Sequence, residues 1–166
     1  MNRSIKNITP ILTLPGLCIS SVLVFTSITA HATLGLDAAS VKKDQAALGA
    51  TLKITKSDGY TDYMLTLPDN GVVHELVSPA GKVFEITWLK RGSWPQMGPL
   101  WGDYANRFSG SVHGTSPTSR HADRVDDDFE MHARAVNRIF SGTAHVPALL
   151  PQNLSGPIAV PNEKMK

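Results

Sequence analysis

Apolar and polar residues alternate with a period of two along four segments between residues 52 and 90, as in strands with one buried face. The segments span 52–56, 60–67, 72–77 and 82–90. The Pro-Asp-Asn-Gly run at 68–71 is the strongest turn signal, because proline presets φ and Asn-Gly accepts the positive φ of a hairpin turn. The pattern predicts an antiparallel meander of about four strands.

Two other segments follow a period near 3.6 and predict short helices. Residues 41–50 are good helix formers, with Ser40 placed as an N-cap. Further along, the apolar side chains recur at helical spacing, and Pro99 is suited to open that helix because its missing N–H donor is not needed there. The apolar residues of this second helix are Leu100, Trp101, Tyr104 and Phe108.

The remainder of the chain alternates only in part. Residues 109–128 are polar and lack periodicity, which predicts a long exposed loop, whereas alternation returns at 129–134 and 140–146 and predicts a hairpin around Val136 and Asn137. Prolines after Val146 predict a C-terminal tail, 151–166, that lies on the surface or is disordered. We therefore expect one α+β domain, 33–150, with an antiparallel sheet of five or six strands and two short helices, or alternatively a small β-sandwich or barrel with peripheral helices.

The N-terminal segment predicts export. Arg3 and Lys6 precede an apolar run, and Ala30 and Ala32 provide small residues at the positions that a signal peptidase reads, so residues 1–32 are expected to be a signal peptide cleaved after Ala32. A retained membrane anchor fits less well because Pro15 and Gly16 leave an apolar stretch shorter than the ~20 residues of a spanning helix. We expect a periplasmic or secreted protein with no stable membrane span after processing.

Processing also changes the charge and the cysteine content. Removing the first 32 of the 166 residues leaves 134, enough for one domain with a hydrophobic core. Arg3 and Lys6 leave with the signal, so 14 basic residues face 14 acidic ones, and the basic surface that nucleic-acid binding requires is not expected. Cys18, whose setting does not fit a lipoprotein signal, leaves as well, which excludes disulfides and thiolate chemistry from the mature chain.

The run 73–88, with its Val-Ser-Pro-Ala-Gly-Lys-Val-Phe core ahead of Trp88, resembles the secreted proteobacterial family known as domain of unknown function 2844. The resemblance extends over most of the mature chain, through 33–35, Ser40, Val41, Asp44, Leu100, Gly102, Tyr104, 142–144 and 150–151. The Met-Gly-Pro run at 97–99 departs from it by interrupting the start of the second helix. The resemblance implies a Gram-negative protein that is either in the envelope or secreted, and it implies no catalytic residue.

Several residues invite a chemical interpretation that their pattern does not support. His74 and Glu75 begin a zinc-protease signature, but Ser78 stands where the second histidine belongs, and neighbours in a strand point to opposite faces. Asp123 and the acidic run 126–128 lack the glycine and spacing of a calcium loop. The histidines at 113, 121, 132 and 145 are too dispersed for a recognisable metal site. We therefore expect no catalytic, cofactor or metal site.

The tryptophans suggest where a ligand could bind. Trp88 and Trp101 fall on predicted core faces, whereas Trp94 lies in the loop 92–98 and is the candidate ligand contact. The leading hypothesis is a non-enzymatic module that binds an envelope protein or a small ligand. One alternative is a small secreted hydrolase whose site combines His74, Glu75 or residues 126–128, and another is assembly through a sheet edge near Val136.

Overall fold

Eight strands form one antiparallel sheet in the computed structural model, which describes residues 34–92, 98–104, 113–116, 119–154 and 156–158. The strands are β1 (Thr51–Ser57), β2 (Tyr60–Thr66), β3 (Val72–Val77), β4 (Val83–Arg91), β5 (His113–Ser116), β6 (Ser119–Val125), β7 (Glu130–Val136) and β8 (Ile139–His145). Their order across the sheet is β1-β2-β3-β4-β8-β7-β6-β5. The sheet thus consists of two four-strand meanders that meet where β4 pairs with β8.

The first meander confirms the predicted strands, whose ends agree to within one residue. Its turns use the residues that the sequence indicated. Asn70 adopts a φ of 62°, and the Leu67 and Gly71 backbones are joined by a 2.7 Å hydrogen bond that closes the reversal between β2 and β3. Gly81, with a φ of 79°, closes the turn between β3 and β4.

The second meander confirms the predicted hairpin and corrects the predicted loop. β7 and β8 are joined by a two-residue turn at Asn137 and Arg138, which have φ values of 51° and 61°. The segment 109–128, in contrast, contains β5 and β6. The alternation is weak in β6 because Ala122 alone is buried among the described side chains 121–125. The sheet therefore has eight strands rather than five or six, and it is one open sheet rather than a sandwich or barrel.

The first helix, α1 (Val41–Leu48), confirms the prediction but begins differently. Ser40 occupies the predicted N-cap position, but its side chain makes no capping hydrogen bond: the residue ends a 3-10 turn, Ala38–Ser40, and its hydroxyl donates to the Asp37 carbonyl at 2.6 Å. The helix ends at Gly49, whose φ of 60° allows its N–H to bond back to the last turn. Val41 is fully buried, and Leu48 packs against the core.

The second helix, α2 (Gly98–Trp101), is shorter than predicted and continues as a 3-10 turn, Gly102–Tyr104. Its predicted last residue, Phe108, lies outside the described residues, as do Trp94 and the predicted signal peptide. Leu100 and Trp101 are buried in the core as predicted. In the described part of the chain, no helix combines the length and apolar character needed to cross a bilayer.

One face of the sheet, here called the helix face, holds the core beneath α1 and α2. Six neighbouring strands contribute to one cross-strand row, in which the half-buried Gly142 accompanies five buried residues. The row runs Leu65, Val73, Trp88, Gly142, Ala133, Ala122. Val41, Leu100 and Trp101 cover this row from above. Gly142 is required because a Cβ at this position would overlap the Trp88 indole and come within 2.5 Å of the His132 carbonyl oxygen.

The other face of the sheet, here called the open face, is partly covered by residues 147–158, which we call the C-terminal segment. The segment begins with a 3-10 turn, Pro147–Leu149, and buries Pro151. The Asn153 side chain packs against Gly59 so closely that a Cβ would not fit there. Beyond it, the Ile158 N–H donates to the Glu85 carboxylate at 2.9 Å. The C-terminal segment therefore reaches the β1–β2 turn at Gly59 and covers the open face around Glu85 of β4.

Candidate functional site

The residues of the hydrolase hypothesis are not brought together. His74 lies on the open face, where its Nδ1 is 3.0 Å from both carboxylate oxygens of Asp62. Glu75 is fully buried on the helix face. Asp126 follows β6, where the Arg124 guanidinium donates to its carboxylate at 2.8 Å. Since β4, β8 and β7 lie between β3 and β6 in the sheet, these side chains do not form one site.

A group of titratable residues that the sequence pattern did not predict lies on the open face. Glu85 on β4, His145 on β8 and Glu130 on β7 are direct cross-strand neighbours. His145 Nε2 and a Glu130 carboxylate oxygen are 3.3 Å apart, and the Thr143 hydroxyl donates to Glu85 at 3.3 Å. The pairing of Glu130 with His145 could have been predicted from the sequence, because a two-residue turn at 137–138 places these residues opposite each other.

Burial controls the protonation of this group. Loss of water raises the pKa of Glu85 to about 7, although the Ile158 N–H and the Thr143 hydroxyl both lower it. Burial lowers the pKa of His145, an effect that Glu130 opposes and His132 reinforces. Burial therefore shifts the protonation equilibrium of both groups toward the neutral form. Among the described residues, no three His, Cys, Asp or Glu side chains are placed to hold a metal ion.

The helix face contains a buried carboxylate and a tryptophan pair. Asp44 on α1 is 1 % exposed, and loss of water raises its pKa to about 7, against a smaller lowering by Lys43. The Trp88 and Trp101 rings pack with centroids 5.7 Å apart. Since both indoles are only 3 % exposed, they stabilise the core, and neither presents a surface on which a ligand could stack.

The sheet edge at β1 is the most exposed strand among those whose side-chain burial the structure describes. β1 pairs with β2 in unbroken register over all seven residues, and no described element pairs with its other side. Six of its residues are exposed, and Leu52 is half-buried. Ile54 is 52 % exposed even though it points to the helix face, so the helices do not cover this end of the sheet.

The second edge of the sheet, formed by β5, is a less suitable surface for adding a strand. β5 has only four residues, and its register with β6 is irregular. The predicted edge near Val136 is wrong, because β7 lies inside the sheet and Val136 pairs with Ser119 on one side and Ile139 on the other. The candidate interaction surface is therefore β1, which we call the β1 edge.

Comparison with known proteins identifies a family. The sequence model of DUF2844, described as a protein of unknown function, matches residues 30–157 of the 166-residue chain. The match includes every described strand and helix. Neither the curated proteins nor the solved structures contain a match to the chain.

Proposed function

We propose that this chain, which belongs to the DUF2844 family of proteins of unknown function, is an exported, non-enzymatic module that binds an extended segment of a partner protein along the β1 edge. The proposal of export, to the periplasm or outside the cell, rests on the signal-peptide pattern of residues 1–32. The observation that carries the proposal of binding is the unpaired, exposed side of β1 within the described fold.

An open strand edge is a binding surface because its outward N–H and C=O groups lack partners within the sheet. An extended segment that adds to the edge gains main-chain hydrogen bonds, and alternate side chains then provide specificity. Soluble proteins usually shorten, bulge or cover such edges. β1 is neither short, bulged nor covered in the described structure, since it has seven residues, a regular register and no covering element, and the charged side chains of Lys53 and Lys56 are the edge protection that it has.

The titratable group on the open face supports an enzymatic function less well. Glu85 and His145 are buried beneath or beside the C-terminal segment, and their hydrogen-bonding and charged neighbours are residues of the same chain. The residues named for a hydrolase lie on opposite faces or on distant strands. A binding function uses the exposed part of the molecule and needs no rearrangement of these buried groups.

Photo-crosslinking in cells tests this proposal. The full chain is expressed with Ile54 replaced by benzoylphenylalanine, irradiated, and purified from the envelope fraction. Val125 is the matched control position, because it is also an aliphatic strand residue and is 65 % exposed. We expect a covalent adduct at position 54 that is absent at position 125. Its crosslinked peptide should map to one extended segment of a single partner.

Two further measurements complete the test. A synthetic peptide of the mapped segment should protect the β1 amides of the purified chain from hydrogen exchange. Intact mass should show an N-terminus at residue 33, since cleavage is expected after Ala32. The binding proposal is wrong if positions 54 and 125 give the same adducts, or if the purified chain turns over a hydrolase substrate and a single substitution abolishes that turnover. An uncleaved chain retained in the cytoplasm would contradict export.

A further inference from the structure

We infer that the β1 edge selects an extended segment in which an acidic residue, an apolar residue, any residue and a second acidic residue follow one another, in this order or in the reverse order according to the direction of the added strand. This inference rests on the proposed function and adds the chemistry of the partner. It comes from the side chains that β1 presents at four consecutive positions: Lys53, Ile54, Thr55 and Lys56.

The direction of each side chain follows from the register of β1 with β2. Ile54 lies opposite Tyr63, which packs against the core of the helix face, so Ile54 and Lys56 point to that face. Lys53 and Thr55 point to the open face. In a strand added to β1, each side chain points to the same face of the sheet as the β1 residue beside it. The added residue beside Ile54 therefore lies on the helix face, and the one beside Lys53 lies on the open face.

The two lysines of β1 have no acidic partner in the described structure. Their cross-strand neighbours on β2 are Met64 for Lys53 and Thr61 for Lys56, both uncharged. Both lysines are exposed, and neither forms an ion pair with a described residue. An acidic residue on the incoming strand would lie directly opposite each ammonium group, whereas a basic residue there would be repelled.

Ile54 defines the apolar position between them. About half of its surface is exposed at the margin of the core, next to Tyr63. A branched apolar residue on an incoming strand would bury this surface and extend the core by one strand. A polar residue at the same place would leave Ile54 beside water or would itself lose hydration.

The wider charge distribution favours the same partner. Four lysines and one aspartate lie between residues 41 and 57, while the rest of the chain after residue 32 has ten basic and thirteen acidic residues. The aspartate is the buried Asp44. The segment 41–57 is therefore a basic part of an otherwise acidic chain, and the exposed Lys53 and Lys56 of β1 attract an acidic segment in preference to a basic one.

A peptide titration tests the inference. The probes are the labelled heptapeptides TTEVTET and TETVETT, which place the pattern in the two strand directions, and the same peptides with both glutamates replaced by lysine. The full chain is expressed with isotopic labelling and purified in its exported form. We expect a glutamate peptide to shift the amide resonances of β1 and to bind more tightly than its lysine counterpart.

Charge reversal provides the decisive comparison. The double variant Lys53→Glu/Lys56→Glu should lose affinity for the glutamate peptide by about tenfold and should prefer the lysine peptide, because both cross-strand charge pairs are inverted. The matched control, Lys42→Glu/Lys43→Glu, makes the same change in net charge on exposed positions of α1 and should change affinity by less than about threefold. Well-dispersed amide spectra confirm that both variants fold.

Each outcome has a definite meaning. Equal binding of the glutamate and lysine peptides, resonance shifts outside β1, or equal effects of the two double variants would overturn the inference. Self-association of the chain through β1, seen as an Ile54 crosslink between two copies, would overturn it as well. A specific Ile54 adduct whose mapped segment lacks the acidic and apolar pattern would reject this partner chemistry and retain the proposed function, whereas loss of the Ile54-specific adduct rejects both.

Discussion

Gly142 illustrates how one residue of the sheet controls a large side chain of the core. It lies opposite Trp88 across the pairing of β4 with β8, and the indole occupies the space that any Cβ at this position would need. The Trp88 ring in turn contacts Trp101 of α2. The absence of a side chain at one position thus positions two aromatic rings.

Gly142→Ala should therefore destabilise the protein. The added methyl group would push the Trp88 ring outward or bend β8, and overpacking of this kind costs about 1–3 kcal/mol of unfolding free energy. Gly156→Ala is the matched control, since a Cβ at Gly156 has no atom within 4 Å. Urea denaturation monitored by tryptophan fluorescence measures the unfolding free energy of each variant. Equal stabilities of the two variants would show that the indole moves without cost.

At the residue scale, the sequence predicted the apolar core better than the buried polar groups. The strand periodicity around Trp88 and the helical periodicity around Trp101 predict that both side chains lie in the core, and both are buried. Asp44 lies three residues after Val41 and four before Leu48, so helical spacing placed it on the buried face of α1. The burial of Asp44 could not be predicted from its residue type, because charged residues are rarely buried without a partner.

At the scale of elements, the strands that the sequence missed are those with the least apolar contrast. β6 places Ala122 in the core and exposes His121, Asp123 and Val125, so its alternation in hydrophobicity is nearly absent. It is a strand because β7 supplies a complete backbone ladder along its length. Pairing with β7, and not the local hydrophobic pattern, therefore determines that residues 119–125 form a strand.

The C-terminal segment is the element with the clearest measurable effect on a single group. Ending the chain after Leu150 removes Pro151 and Ile158 from the open face and returns water to Glu85. The pKa of Glu85 should then fall from about 7 toward its ordinary value of 4.5. Ending the chain after Ile158 is the control and should leave the pKa near 7. Carbon-detected NMR titration of the Glu85 carboxyl group measures both, and an unchanged pKa in the shorter chain would exclude this role of the segment.

At the scale of the whole molecule, the buried acids predict that stability falls as the pH rises. The pKa values of Asp44 and Glu85 are both raised in the folded state, so their contribution to stability is complete below 3.8 and 4.5 and is lost as the pH rises through about 7. His145 acts in the opposite direction. Its pKa is lowered, so its contribution is complete above 6.5 and declines below it.

Two buried acids outweigh one histidine, so the free energy of unfolding should be about 2–4 kcal/mol lower at pH 8 than at pH 5. In the double variant Asp44→Asn/Glu85→Gln this loss should disappear, and the remaining effect of His145 should make pH 8 the more stable condition. Asp58→Asn/Asp127→Asn removes two exposed carboxylates and serves as the control. Urea unfolding at both pH values gives the result, and a double variant that retains the wild-type pH dependence would refute the assignment.

The seam between β4 and β8 has a consequence for how the chain reaches its fold. Every other strand pair in the described sheet joins neighbours in the chain, whereas the Glu85–Thr143 contact at this seam spans 58 residues. Long-range closure loses the most chain entropy, so we expect the two meanders to form first and dock late. Until they dock, β4 and β8 each present a free edge. An intermediate in which the meanders have formed but not docked therefore exposes the edges of β4 and β8, two strands that lie at the centre of the sheet in the folded protein.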